Sequence, residues 1–121
     1  MTDEEITGYL EDNGYPPHIV RAGKAGLVKR WQEFVSEAEQ GYRYRLLDYR
    51  NDLDLRGVIA MLGLSSEPGI AEADERLKQV LVGTDCRVWE SVNGNPFWDF
   101  GYPRNASGQL LNDLREAGFF E

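Results

Sequence analysis

Two carboxylates four residues apart are the first feature of this sequence that could bind a metal ion. On a helix, Asp48 and Asp52 would lie one turn apart, where paired oxygen ligands can hold a divalent metal ion. Di-metal bundles also need Glu-x-x-His motifs, and His18 is the only histidine. Arg45 and Arg56 lie three residues before Asp48 and four after Asp52. We therefore interpret the pair as a solvated face neutralised by arginine, and predict no metal site.

The stretch that begins at Asp52 matches a calcium-binding loop only at its first positions. Asp52, Asp54 and Gly57 fit positions 1, 3 and 6 of the EF-hand pattern. Position 5 is Arg56, and position 12 is Gly63, where the loop needs a bidentate glutamate. The sequence therefore predicts no calcium site, and no cofactor of any other kind.

A cysteine–histidine nucleophile would require Cys86 and His18, the single residues of each type, to meet in the fold. They lie far apart in the sequence and belong to no motif. We therefore interpret Cys86 as a small core residue and His18 as a residue at the start of a helix. The glycines fit neither a dinucleotide fingerprint nor a P-loop, and no serine lies in a nucleophile elbow. No catalytic residue is predicted, and a non-catalytic protein is the favoured interpretation.

Aromatic residues near the C-terminus have the clearest bearing on binding, because aromatics are enriched at the energetic centres of interfaces. They either cover the helices as an auxiliary core or present a site for a protein partner, with Phe97 or Trp98 at its rim. The predicted binding residues are Trp89, Phe97, Trp98 and Phe100. The wider aromatic group also contains Tyr102, Phe119 and Phe120.

A pocket between helices is the alternative site, and it would belong to a small-molecule-binding protein or an enzyme. Its predicted lining is Trp31, Tyr42, Arg45 and Tyr49, with Arg45 or Arg43 taking an anionic group. Such a pocket needs a concavity with convergent polar groups, whereas a protein-binding module needs an exposed aromatic or acidic patch. A homodimer formed by helix faces is a third hypothesis.

Length and composition limit the class of protein. A chain of 121 residues suits one domain, and 41% hydrophobic with 28% charged residues predicts a folded core in water. No apolar run approaches the ~20 residues that cross a bilayer, so no membrane contact is predicted. The acidic N-terminus is unlike a secretory signal, which begins with basic residues. A cytoplasmic location is therefore expected.

A net charge of −8 disfavours nucleic-acid binding, because phosphate neutralisation needs a basic face. A small acidic domain is suited to mask a basic protein partner. An immunity or antitoxin-like protein that shields a basic nuclease is one concrete version of this hypothesis. The sequence does not identify the partner.

Apolar residues recur at helical spacing through most of the chain, which predicts a mainly α fold. We expect one domain over residues 1–121, a bundle of about five helices with a long central helix region. Thr2 and Glu5 form a capping box at the first helix, and Ser107 caps the last. Gly23 and Gly26 are expected to weaken the second helix, either as a kink or as a split into a short turn and a longer part from about Lys24.

The central apolar stripe runs without a phase break, which predicts a continuous or gently bent helix from about Lys24 to Asn51. The stripe contains Trp31, Val35, Ala38, Tyr42, Leu46, Tyr49 and Leu53. Within it, Leu46 and Leu53 are predicted to be core residues.

Residues 87–104 change in character and are predicted to form an aromatic appendage. Asn93 and Gly94 are typical of a two-residue hairpin turn between the segments RVWESV and NPFWDF. Pro96 would restrict its strand to an edge. An irregular aromatic loop is the alternative, because an isolated two-stranded hairpin is marginally stable in water.

Overall fold

The structure, a computed structural model, describes residues 2–91 and 94–119. Its helices are α1 (Asp3–Asp12), α2 (Pro17–Glu39), α3 (Leu46–Met61), α4 (Pro68–Val80) and α5 (Gly108–Glu116). Between α4 and α5 lie strand β1 (Leu81–Arg87), a short 3-10 helix (Phe97–Asp99) and strand β2 (Phe100–Pro103). The prediction of a mainly α fold with a small hairpin near the C-terminus is confirmed.

Local signals place several helix ends where the sequence predicts them. The Thr2 hydroxyl accepts a hydrogen bond from the Glu5 backbone N–H at 3.2 Å, and the Glu5 carboxylate accepts one from Thr2 N–H at 3.0 Å. α5 follows Ser107, although that side chain makes no capping hydrogen bond. α2 is interrupted at Gly23, whose φ of 57° and ψ of −142° are not helical. The predicted capping box and the predicted kink or split of the second helix are therefore confirmed.

The predicted continuous helix from about Lys24 to Asn51 is wrong, because the chain turns between α2 and α3. α2 ends at Glu39, and α3 begins only at Leu46. Within the turn, Tyr42 has a φ of 56°, a left-handed conformation that interrupts a right-handed helix.

A close backbone contact explains where this turn lies. Gly41 has a φ of 99°, and a Cβ atom there would clash with the carbonyl oxygen of Asn105. The Asn105 side chain in turn donates a hydrogen bond to the carbonyl of Glu39 at 3.2 Å. The turn brings the ring of Tyr42 against Phe34, with ring centroids 5.6 Å apart. The predicted apolar stripe thus stays in the core although the helix itself does not continue.

α2 lies at the centre of the fold and packs against α1, α3 and α4. Trp31 stacks on Phe34 at 4.8 Å between centroids, and Tyr49 lies 5.5 Å from Phe34. Leu46 and Leu53 of α3 are buried in the same core, as predicted. These contacts place the α2–α3 interface in the hydrophobic core.

The small sheet pairs segments that differ from the predicted ones. β1 runs antiparallel to β2, with Leu81 opposite Pro103 and Arg87 opposite Phe100. The predicted strand limits, 87–92 and 95–100, are therefore wrong, because the chain leaves α4 directly as a strand. Residues 88–99 form the connection, and the Asn93 half of the predicted turn lies outside the described residues.

A buried ion pair joins α3 to α4. The Arg56 guanidinium donates to both carboxylate oxygens of Asp74, at 3.0 and 2.8 Å, and Trp31 Nε1 donates to the same carboxylate at 2.9 Å. Arg56 is only 2% exposed, and its guanidinium lies 4.2 Å from the ring centroid of Trp98. The predicted place of Arg56 on a solvated face beside Asp52 is therefore wrong, because its partner comes from another helix.

A second ion pair, at the surface, joins the start of α3 to α5. Arg45 donates Nε and Nη2 to the Asp113 carboxylate at 3.1 and 3.0 Å, and Leu46 N–H donates to it at 3.0 Å. The Arg45 hydrogen bond, followed by that of Leu46, holds the pKa of Asp113 below its ordinary value. Arg45 was predicted to offset Asp48, but its side chain is directed to α5 instead.

The Asp113 contact predicts a specific pH dependence of stability. A carboxyl group whose pKa is lower in the folded chain than in the unfolded chain stabilises the fold at pH values above its unfolded pKa. This stabilisation is lost as the pH falls through the folded-state pKa. Asp113→Asn should therefore lower the urea midpoint at pH 7, and the difference from the parent chain should shrink below about pH 4. Urea unfolding at both pH values, with Glu72→Gln as an exposed control, measures this. A difference that is unchanged in acid would contradict the assignment.

Candidate functional site

Of the residues of the predicted pocket, Tyr42 lines a groove of about 600 Å³ together with Arg43, whereas Trp31, Arg45 and Tyr49 are not part of its lining. Trp31, Tyr42 and Tyr49 are buried in the core, where burial raises the pKa of both tyrosines above the ordinary value. The Tyr42 hydroxyl donates to the Asp52 carboxylate at 2.5 Å. Arg45 is directed to α5, away from this cluster. Trp31 and Tyr49 therefore support the fold, while Tyr42 belongs to both the core and the groove.

The four predicted protein-binding aromatics do not form one exposed patch. Trp98 is 6% exposed and lies against Arg56, in the buried network. Phe97 packs edge-on against Trp98 at 5.4 Å, and Phe100 lies 5.6 Å from the guanidinium carbon of Arg87. Trp89 is half-buried and is the one of the four that lines a large groove. The group is thus partly an auxiliary core and partly surface.

A groove of about 680 Å³ lies between the α1–α2 turn, α2, α3 and residues 89–91, and we call it the Trp89 groove. Its apolar lining comprises Ile19, Leu27, Leu55, Gly57, Val58 and Met61. Its polar lining comprises His18, Arg30, Asn51, Asp54, Glu90 and Ser91. Tyr15, Pro16 and Trp89 complete it. Met61 is 49% exposed, whereas Leu27 is 0% exposed, so the apolar lining is open to solvent at Met61.

Side-chain contacts to α3 hold one wall of the Trp89 groove in place. Trp89 Nε1 donates a hydrogen bond to Asp54 Oδ1 at 2.6 Å. Arg50, one helical turn before Asp54, donates Nε to the carbonyl of Val88 at 2.8 Å. These two bonds join residues 88–89 to consecutive turns of α3, so the indole is held at the groove edge.

Asp99 supports the same wall from beneath. It is 0% exposed, and its backbone carbonyl accepts hydrogen bonds from Val88 N–H at 2.8 Å and Trp89 N–H at 3.3 Å. Its Oδ2 accepts from Ser91 N–H at 2.9 Å and lies 3.7 Å from Arg87 Nη2. The sequence analysis did not identify Asp99 as a functional residue. Its place between Trp98 and Phe100 was nevertheless a signal, because a carboxylate among aromatic residues is often buried and must then have a hydrogen-bonding or ionic partner.

Charges of both signs surround the Trp89 groove. Burial is the main cause that raises the pKa of Tyr15 above its ordinary value, with Asp54 acting in the same direction and Arg30 against it. Burial likewise raises the pKa of Asp52, and Arg30 again opposes the shift. Arg30 lines both the Trp89 groove and a neighbouring groove of about 600 Å³ that Asp52 also lines.

The reactive groups considered from the sequence were Asp48 with Asp52, and Cys86 with His18. Asp48 accepts a hydrogen bond from Arg45 N–H at 3.2 Å, while Asp52 accepts from Tyr42. Over residues 2–91 and 94–119, no group of three or more His, Cys, Asp and Glu side chains is arranged to hold a metal ion. Cys86 lies on β1 and His18 on α2, at the rim of the Trp89 groove.

No protein-family model, curated protein or solved structure matches this chain. None of the described helices combines the length and the apolar character needed to cross a membrane. Function is therefore inferred from the groove and from the charge of the chain.

Proposed function

We propose that this protein is a non-catalytic protein–protein interaction module that binds a basic partner through the Trp89 groove. The observation that carries this proposal is a groove whose lining combines apolar residues, among them the exposed Met61, with the carboxylates of Asp54 and Glu90. An apolar centre with a polar border is the usual composition of a protein interface.

The charge of the chain supports a basic partner. The net charge is −8, and the exposed acids of α1 include Glu11 and Asp12. Asp12 precedes Tyr15 of the groove by three residues, so their Cα atoms lie within about 11 Å of each other. A cytoplasmic protein that shields a basic nuclease, as immunity proteins and antitoxins do, is one form that this proposal takes.

A small-molecule-binding protein is the second candidate, and the groove volume favours it. About 680 Å³ falls within the range of ~300–1,000 Å³ that small-molecule sites occupy. The chain purified from its native host and analysed by native mass spectrometry distinguishes the two candidates. A bound compound of stoichiometric mass would favour this alternative over the protein partner.

The interaction proposal predicts the effect of charge and of one groove residue on a partner recovered from the native host. The association rate should fall as salt rises, because the Debye length shortens from ~10 Å at 0.1 M to ~3 Å at 1 M. Met61→Lys should raise the dissociation rate at least about fivefold, since it places a charge in the contact. Surface plasmon resonance at several ionic strengths measures both rates.

Leu47→Lys is the matched control, because Leu47 lies on the same helix, is 68% exposed and does not line the groove. It should leave the dissociation rate unchanged while altering the net charge equally. Equal effects of Met61→Lys and Leu47→Lys, or binding that is insensitive to salt, would count against the proposal.

A further inference from the structure

We infer that the Trp89 groove receives an arginine or lysine side chain of the protein partner, with Asp54 and Trp89 as its recognition residues. This inference rests on the proposed function and specifies the chemistry of the bound residue. It requires an acceptor with unused hydrogen-bonding capacity, an apolar path for the side-chain stem, and a charge balance that favours a cation.

Asp54 provides the acceptor. Only its Oδ1 is bound, by Trp89 Nε1, and within residues 2–91 and 94–119 its Oδ2 has no hydrogen-bond partner. No lysine or arginine of the described chain lies within ion-pair distance of Asp54, although Arg50 is one helical turn away. Arg50 Nε is instead bound to the carbonyl of Val88. A carboxylate held in position by one oxygen can accept a cationic donor at the other.

The lining of the groove suits the long stem of such a side chain. Arginine and lysine bury their methylene groups along apolar surfaces and keep the charged group near water. Val58 and Met61 provide an apolar surface on α3, in the same groove as Asp54. The half-buried indole of Trp89 can also attract a cation above its face.

The basic residues Arg30 and His18 count against this inference. Both line the groove, and Arg30 would attract an anion. Arg30 also borders the neighbouring groove, where its positive charge opposes the upward shift of the Asp52 pKa. In the part of the chain that the structure describes, no lysine or arginine lies within ion-pair distance of Asp54 or Glu90, so the groove edge near Trp89 favours a positive group.

Three probes test the inference on the full chain by NMR titration. The first is the blocked tripeptide acetyl-leucyl-arginyl-leucinamide, the second has citrulline in place of arginine, and the third is benzoate. Citrulline keeps the shape of arginine without its charge. The indole N–H signal of Trp89, assigned with Trp89→Phe, reports on the site because this proton is bonded to Asp54.

The arginine peptide should shift the Trp89 signal and bind up to about fivefold more tightly than the citrulline peptide, the range of a partly exposed ion pair. Asp54→Asn should abolish that preference while leaving an acceptor for Trp89 Nε1. Glu72→Gln, an exposed residue outside the groove lining, should retain the preference. Arg30→Gln should strengthen arginine binding.

Other outcomes separate this inference from the proposed function. Equal binding of the arginine and citrulline peptides, or stronger binding of benzoate that Arg30→Gln removes, would overturn the inference and leave the groove as a binding surface. If Met61→Lys has no effect on the partner while the arginine preference holds, the proposed interface fails and the cation site stands. If no probe shifts the Trp89 signal, the cation site is wrong.

Discussion

Asp74→Ala is expected to lower the free energy of unfolding by about 3–5 kcal/mol, the cost of breaking a buried ion pair on one side. The substitution would leave the Arg56 guanidinium buried without its carboxylate, and Trp31 Nε1 without its acceptor. Urea unfolding followed by circular dichroism measures the loss. Glu75→Ala, at the next position of the same helix, is the control and should change stability by less than about 0.5 kcal/mol.

The double replacement Arg56→Met with Asp74→Leu sharpens this test. Removing both charges leaves no buried ion unpaired, so the double variant should be more stable than Asp74→Ala. A loss for Asp74→Ala no greater than that for Glu75→Ala would show that the pair is not buried as described.

Leu53→Ala should cost about 2–5 kcal/mol, because it removes a fully buried side chain of α3 and leaves a cavity in the core. Leu46→Ala should act in the same direction at the start of α3. Leu47→Ala is the control on the same helix, since its side chain is 68% exposed. Urea midpoints of the three variants rank them directly. Unchanged midpoints for both Leu46→Ala and Leu53→Ala would contradict the helical phase of α3.

Features that depend on neighbours in the sequence follow from the sequence alone. The capping box of Thr2 and Glu5 needs only residues three positions apart. The core position of Leu53 follows from helical periodicity. Backbone hydrogen bonding and a repeat of 3.6 residues are local, so these predictions do not require the rest of the fold.

Features that depend on distant partners required the folded chain. The α2–α3 turn depends on a backbone contact between Gly41 and Asn105, and periodicity continues unbroken across that turn. Arg56 is buried because Asp74, on a different helix, neutralises it.

The groove has the same origin. Trp89 and Asp54 are separated by 35 positions, and their hydrogen bond forms one wall. Nothing in the local pattern of either residue distinguishes a groove edge from an auxiliary core. The candidate site was therefore predicted only in part, through Trp89, because a concave surface is produced by elements packed together and not by any one of them.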